Sequence, residues 1–201
     1  MKFIDREEET RFLLQHFAGE PHELLFVYGP KSSGKSTLLM HVAKQLDLSK
    51  YSIAYMDLRG LNISNYNSFL DTFFDNELTE KSREIKSGIT VNTGLFKMTR
   101  EEKNVFDVNA FKVMEDKLLE SQSSSVQPII IIDEIQLLRD IKVNGESYLI
   151  DKLFNLFVRL TKVLHVAHVV LATSDSYFIE EIYNSAKLKK TSRAANSERR
   201  C

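Results

Sequence analysis

Nine consecutive residues, Gly29-Pro30-Lys31-Ser32-Ser33-Gly34-Lys35-Ser36-Thr37, sit between a short apolar run and an amphipathic one, and nothing else in the 201 residues restricts the fold as strongly. Their spacing is G-x-x-x-x-G-K-[ST], in which glycines let the backbone wrap closely around phosphate groups while successive N–H groups and the start of a helix supply positive potential. The preceding Leu24-Leu25-Phe26-Val27-Tyr28 has the continuous apolar character of a strand buried on both faces. Leu38, Leu39, Val42, Ala43 and Leu46 then recur at helical spacing, and Ser52 to Leu58 reads as a second strand. A strand–loop–helix–strand unit of this kind builds an α/β fold with a parallel sheet. In that setting Gly29 through Thr37 would bind a nucleoside triphosphate, with Lys35 reaching the β and γ phosphates and Ser36 ligating Mg²⁺.

Pro128 to Ile132 is the next buried strand, and it ends in Asp133-Glu134. An acidic residue at the carboxyl end of a neighbouring parallel strand meets the loop-bound Mg²⁺, so Asp133 is the expected metal partner. Glu134, one residue on, is placed to hold and deprotonate an attacking water; the competing reading has the acidic pair capping the following helix. Val166 to Ala172 forms a further strand ending in Thr173-Ser174-Asp175, where Ser174 or Thr173 can bond the γ phosphate or the water, or Ser174 or Asp175 can cap the next helix. Asp57 and Arg59 leave the second strand at the same edge and read as turn residues. A guanine-reading Asn/Thr-Lys-x-Asp signature is not found, since Thr161-Lys162-Val163-Leu164 lacks the aspartate; adenine is therefore expected. A small-molecule kinase, which excludes water, fits poorly with Glu134.

The remaining segments are read more coarsely. Asp5 is expected to cap a first helix carrying Phe12, Leu13 and Phe17; Phe69 to Phe74 suggests a helix, Ile85 to Met98 a hairpin, and Asp107 the cap of a helix with Phe111, Met114, Leu118 and Leu119. Residues 58–128 are thus an elaborated insertion between the second and third strands. Ser121 to Ser125 reads as a loop, residues 139–147 as another, and Leu149 to Leu164 as a long amphipathic helix.

Lys and Arg number 27 against 28 Asp and Glu, so no overall field draws the chain to nucleic acid or an anionic membrane. No stretch approaches the roughly 20 apolar residues that span a bilayer. The single cysteine, Cys201, fits a reducing compartment, and a cytoplasmic location is expected.

Phe3-Ile4-Asp5-Arg6-Glu7, Val27-Tyr28-Gly29-Pro30, Ile132-Asp133-Glu134-Ile135-Gln136 and Thr173-Ser174-Asp175 together resemble the archaeal ATPase family, a branch of AAA-like, STAND-related P-loop ATPases. The resemblance spans residues 1 to about 185. It implies a three-layer ASCE/AAA-like fold with sheet order 5-1-4-3-2, an opening segment near the adenine, and a γ-phosphate sensor at Ser174. It also implies a fifth core strand and then a helical lid or winged-helix module, whereas residues 187–201 hold no apolar run. The expectation is therefore a core over 1–186 lacking its C-terminal strand and lid, followed by a basic, unstructured tail. The leading function is an ATPase switch, hydrolysing ATP with Mg²⁺ to change its relation to an unknown protein partner. The alternatives are a truncated nucleotide-binding module without useful turnover and, on the six cations of the tail, a nucleic-acid-linked motor.

Overall fold

The computed structural model describes residues 6–74, 110–123, 126–184 and 192–196. Helix α1 (Glu7–Ala18) leads into β1 (Leu24–Tyr28), and α2 (Lys35–Gln45) starts inside the nine-residue loop. Strand β2 (Tyr51–Asp57) is followed by a 3-10 turn (Leu58–Gly60), α3 (Tyr66–Phe74) and α4 (Ala110–Ser123). Strand β3 (Gln127–Asp133) ends in a second 3-10 turn (Ile135–Leu138). A two-stranded ribbon, β4 (Lys142–Val143) and β5 (Ser147–Tyr148), precedes α5 (Leu149–Val158), whose last turn loosens into a π-helical stretch over Arg159–Val163. Strand β6 (His168–Thr173), α6 (Ser176–Asn184) and β7 (Ser192–Asn196) follow.

The main sheet is fully parallel, in the order β2-β3-β6-β1-β7. Numbered along the chain as five core strands, this is the expected 5-1-4-3-2 arrangement. Alternate residues of the three central strands face opposite ways, as the two-residue period of a strand requires. Leu25, Val27, Ile129, Ile131, Val170 and Ala172 meet α1 and α2 through Leu13, Phe17, Leu38, Leu39 and Val42. Phe26, Ile130, Ile132, Val169 and Leu171 meet α3 to α6 on the other side, through Phe69, Met114, Leu153, Phe157 and Phe178. Burying both faces explains why these strands are unbroken apolar runs: each buried Ile or Leu contributes about 1.5–3 kcal/mol whichever way it points. Among the described residues no helix is long and apolar enough to cross a membrane.

Three expectations are corrected. The C-terminal strand is present: Ser192–Asn196 pairs in parallel with β1 from Leu24↔Ser192 to Tyr28↔Asn196. An edge strand is held by main-chain hydrogen bonds on one side, so it forms without the apolar run a central strand needs. Part of the supposed tail is therefore the fifth strand, and the first strand is not a bare edge. The polar Ser121-Gln122-Ser123 continues α4 instead of opening a loop. The 139–147 loop contains the β4–β5 ribbon, turned at Asn144 and Gly145, both at positive φ. The caps expected of Asp5 and Asp107 and the hairpin over 85–98 lie outside the described residues; α1 begins behind Arg6, whose side chain makes no cap.

Candidate functional site

Strands β1, β2, β3 and β6 end side by side, and the chemistry-bearing residues lie at these carboxyl ends. The loop after β1 turns at Ser32 (φ 64°) and Gly34 (φ 81°), both left-handed. At Gly34 a side chain would be strained whatever the room, and this conformation swings the chain directly into α2. Lys35 is only 4% exposed. Its Nζ donates to the carbonyls of Gly29 at 2.9 Å and Pro30 at 3.0 Å, curling the loop around its own ammonium. Burial lowers its pKa, against the opposing charges of Glu134 and Asp133. Arg6, from the start of α1, donates Nη2 to the Ser33 carbonyl and so ties α1 to the loop.

Asp133 faces the α2 side of the sheet, in the same alternation as Ile129 and Ile131, and is 1% exposed. Its Oδ2 accepts a hydrogen bond from the Tyr55 hydroxyl at 3.1 Å, while its buried Oδ1 has no partner among the described residues. Burial raises the Tyr55 pKa, and the Asp133 charge and hydrogen bond push it the same way, against a hydrogen bond from Ser36. Tyr55 is thus a protonated donor at any ordinary pH.

Glu134 is 3% exposed and left-handed (φ 60°), an uncommon conformation for a non-glycine residue. Its Oε2 accepts from Ser174 Oγ at 2.8 Å and from Gln136 Nε2. Its Oε1 lies 2.5 Å from Nη2 of Arg59. Burial pushes the carboxyl up, but the hydrogen bonds from Gln136 and Ser174, with the charges of Arg59 and Lys35, hold it below the usual range. Thr173 donates to Gln136 Oε1 at 2.6 Å, closing a polar network between the ends of β3 and β6.

The residues picked out by sequence therefore converge, with three refinements. Asp175, not Ser174, caps α6, accepting from the Phe178 N–H at 3.1 Å. Asp57 does hold a turn, accepting from the Arg59 N–H at 3.0 Å, but the Arg59 side chain goes on to Glu134. Tyr55 and the bracing role of Arg6 went unnoticed; a tyrosine two residues before the end of a strand that leads to the nucleotide edge was the available signal.

A profile of the family described as "ATPase domain predominantly from Archaea" matches residues 3–199. The chain belongs to this family. Two uncharacterised ATP-binding proteins of Methanocaldococcus jannaschii are similar to this archaeal ATPase domain: one is 41% identical over 196 residues, covering 96% of this chain and 56% of the relative. The other is 40% identical over 201 residues, covering 96% and 55%. The chain spans about half the length of these curated relatives. The Walker-type ATPase of Pyrococcus abyssi shares the fold at a TM-score of 0.54 and 20% identity, covering 96% of this chain and 54% of that one. The Aeropyrum pernix ORC2 protein, solved with ADPNP and ADP, does so at 0.57 and 14%, covering 97% and 48%.

Proposed function

We propose that this archaeal ATPase domain binds ATP with Mg²⁺ at Gly29 to Thr37 and hydrolyses it with Glu134 as the base. The observation that carries the reading is Lys35: a buried ammonium at a helix start, ringed by loop carbonyls, is a site shaped for a polyanion. The names of the M. jannaschii relatives agree with nucleotide binding.

The residues also fit the metal. Mg²⁺ in nucleotide sites takes one or two protein oxygens and completes its shell with phosphates and water. Ser36 supplies a hydroxyl, and Asp133 supplies a buried oxygen, Oδ1, that no described residue satisfies. A bound Mg²⁺ would neutralise charge on the phosphates and draw them into register. Lys35 would neutralise the β and γ phosphates, Glu134 would orient water and accept its proton, and Ser174 would steady Glu134 or pass to the γ phosphate.

The Glu134 carboxylate is already engaged by three side chains, which supports slow basal turnover released by a partner. The expectation of a module without turnover rested on a missing strand, and β7 removes that ground. The deciding experiment is equilibrium ATP binding and single-turnover hydrolysis for wild type, Lys35→Ala and Glu134→Gln. Mg²⁺-dependent hydrolysis by wild type, with Glu134→Gln binding ATP but not cleaving it, is the expected result. Wild type that never binds ATP would overturn the reading.

A further inference from the structure

Tyr55 is a polar side chain of the site that takes no part in the proposed reaction. Tyr55 rises from β2 on the α2 face of the sheet, two residues before the strand ends, opposite Ile131 in the β2–β3 register. Its hydroxyl donates to Asp133 Oδ2 at 3.1 Å, so Tyr55 touches the carboxylate assigned to the metal. We propose that Tyr55 is the positioning residue of the Mg²⁺ site, holding Oδ2 of Asp133 so that Oδ1 is turned to the ion. This rests on the MgATP reading and deepens it.

The physical case is one of hydrogen-bond accounting. The two oxygens of an ionised carboxylate are equivalent acceptors until a partner distinguishes them. The Tyr55 proton occupies Oδ2, leaving Oδ1 as the one open acceptor. Leaving a buried acceptor open costs roughly 1–3 kcal/mol, which a cation or its water would recover. A phenol can donate this hydrogen bond to Oδ2, whereas phenylalanine cannot. Partners that orient a ligand in this way commonly contribute 10- to 100-fold to metal affinity.

The test compares wild type with Tyr55→Phe by equilibrium binding of a non-hydrolysable ATP analogue, first in EDTA and then across buffered free Mg²⁺. Expected is an unchanged affinity in EDTA with the Mg²⁺ concentration that half-saturates the affinity gain raised about 10- to 100-fold. In an Asp133→Asn background, which should abolish the Mg²⁺ gain, Tyr55→Phe should change nothing further. A Tyr55→Phe protein with wild-type Mg²⁺ dependence overturns the proposal, as does one weakened equally with and without the metal, the mark of a merely structural role. If wild type itself gains nothing from Mg²⁺, the MgATP reading falls first and takes this inference with it. A wild-type crystal structure with Mg²⁺ and the analogue is an arm that needs no variant. Tyr55 Oη should stay within hydrogen-bond distance of Asp133, and its departure would likewise overturn the assignment.

Discussion

Nη2 of Arg59 lies 2.5 Å from Oε1 of Glu134, so the carboxylate assigned to activate water is paired with a cation that comes from the neighbouring strand's end. The guanidinium is half exposed and the carboxylate is buried, which makes Arg59 the partner free to leave. Arg59→Ala should therefore raise the single-turnover rate at saturating ATP, roughly three- to tenfold, in line with about a kcal/mol for a half-exposed pair. A rate that falls instead would assign Arg59 to the transition state and not to restraint.

Glu134→Gln keeps the shape of the side chain and removes its basicity. ATP binding should persist while turnover drops about 10²- to 10⁴-fold, the usual scale for losing a general base. Retained turnover would move the proton acceptor elsewhere.

The pH profile supplies an independent check on the same group. Glu134 is held below its ordinary value of 4.5, so it stays a carboxylate as pH falls, and protonation disables it only below that point. The plot of kcat/KM against pH should show no acid limb from this residue between about 5 and 8, since that plot reports the free enzyme. An acid limb near neutrality that disappears in Glu134→Gln, measured on its residual rate, would contradict the low value.

Lys35→Ala removes the ammonium around which the loop curls and leaves the Gly29 and Pro30 carbonyls without that donor. ATP affinity should fall roughly 10- to 100-fold, as expected for hydrogen bonds to a charged group. Calorimetry or analogue fluorescence would read it, and an unchanged affinity would remove Lys35 from the phosphate site.

Far from the nucleotide loop, at the amino ends of β1 and β6, His168 is fully buried against His16 and Phe17, with His22 and Glu23 close to His16. Burial, reinforced by the His16 charge, lowers the His168 pKa to about 4 from 6.5. The unfolded chain then binds the proton first as pH drops, so stability should be full above about 6.5 and decline between 6.5 and about 4. The loss attributable to this ring is on the order of 3 kcal/mol. His168→Leu keeps an apolar side chain against Phe17, so it should fold and flatten denaturation midpoints across that window. An undiminished slope in the variant would shift the cause to His16.

What was legible in the sequence follows from how many forces wrote each feature. Gly29 to Thr37 and Ile129 to Asp133 were plain, because steric need, burial on two faces and chemistry all constrain the same few positions. Ser192 to Asn196 was not, because a strand at a sheet's edge needs only free main-chain groups and leaves little mark on side-chain composition. The continuation of α4 through Ser121 to Ser123 was hidden for a related reason: serine is only a mildly poor helix former, and tertiary context overrides so weak a preference. Arg59 and Tyr55 were missed or misjudged because their value depends on what β3 places opposite them, and register between distant strands is not written locally. Asp57 could be read as a turn residue since its contact is two positions away.

The strand order carries a consequence for how the molecule comes into being. Strand β1 emerges early in synthesis, yet its only neighbours in the sheet are β6 and β7, with Leu24 aligned to both Val169 and Ser192. The loop that follows β1 cannot settle until those distant segments arrive, and closing such large loops is slow. A nascent chain would thus hold β2 and β3 in register while β1 remains a loose, sticky hydrophobic segment. Competence to grip a phosphate should then be among the last properties to appear during folding, a delayed onset that a time-resolved refolding assay with a fluorescent nucleotide would see as a lag behind helix formation.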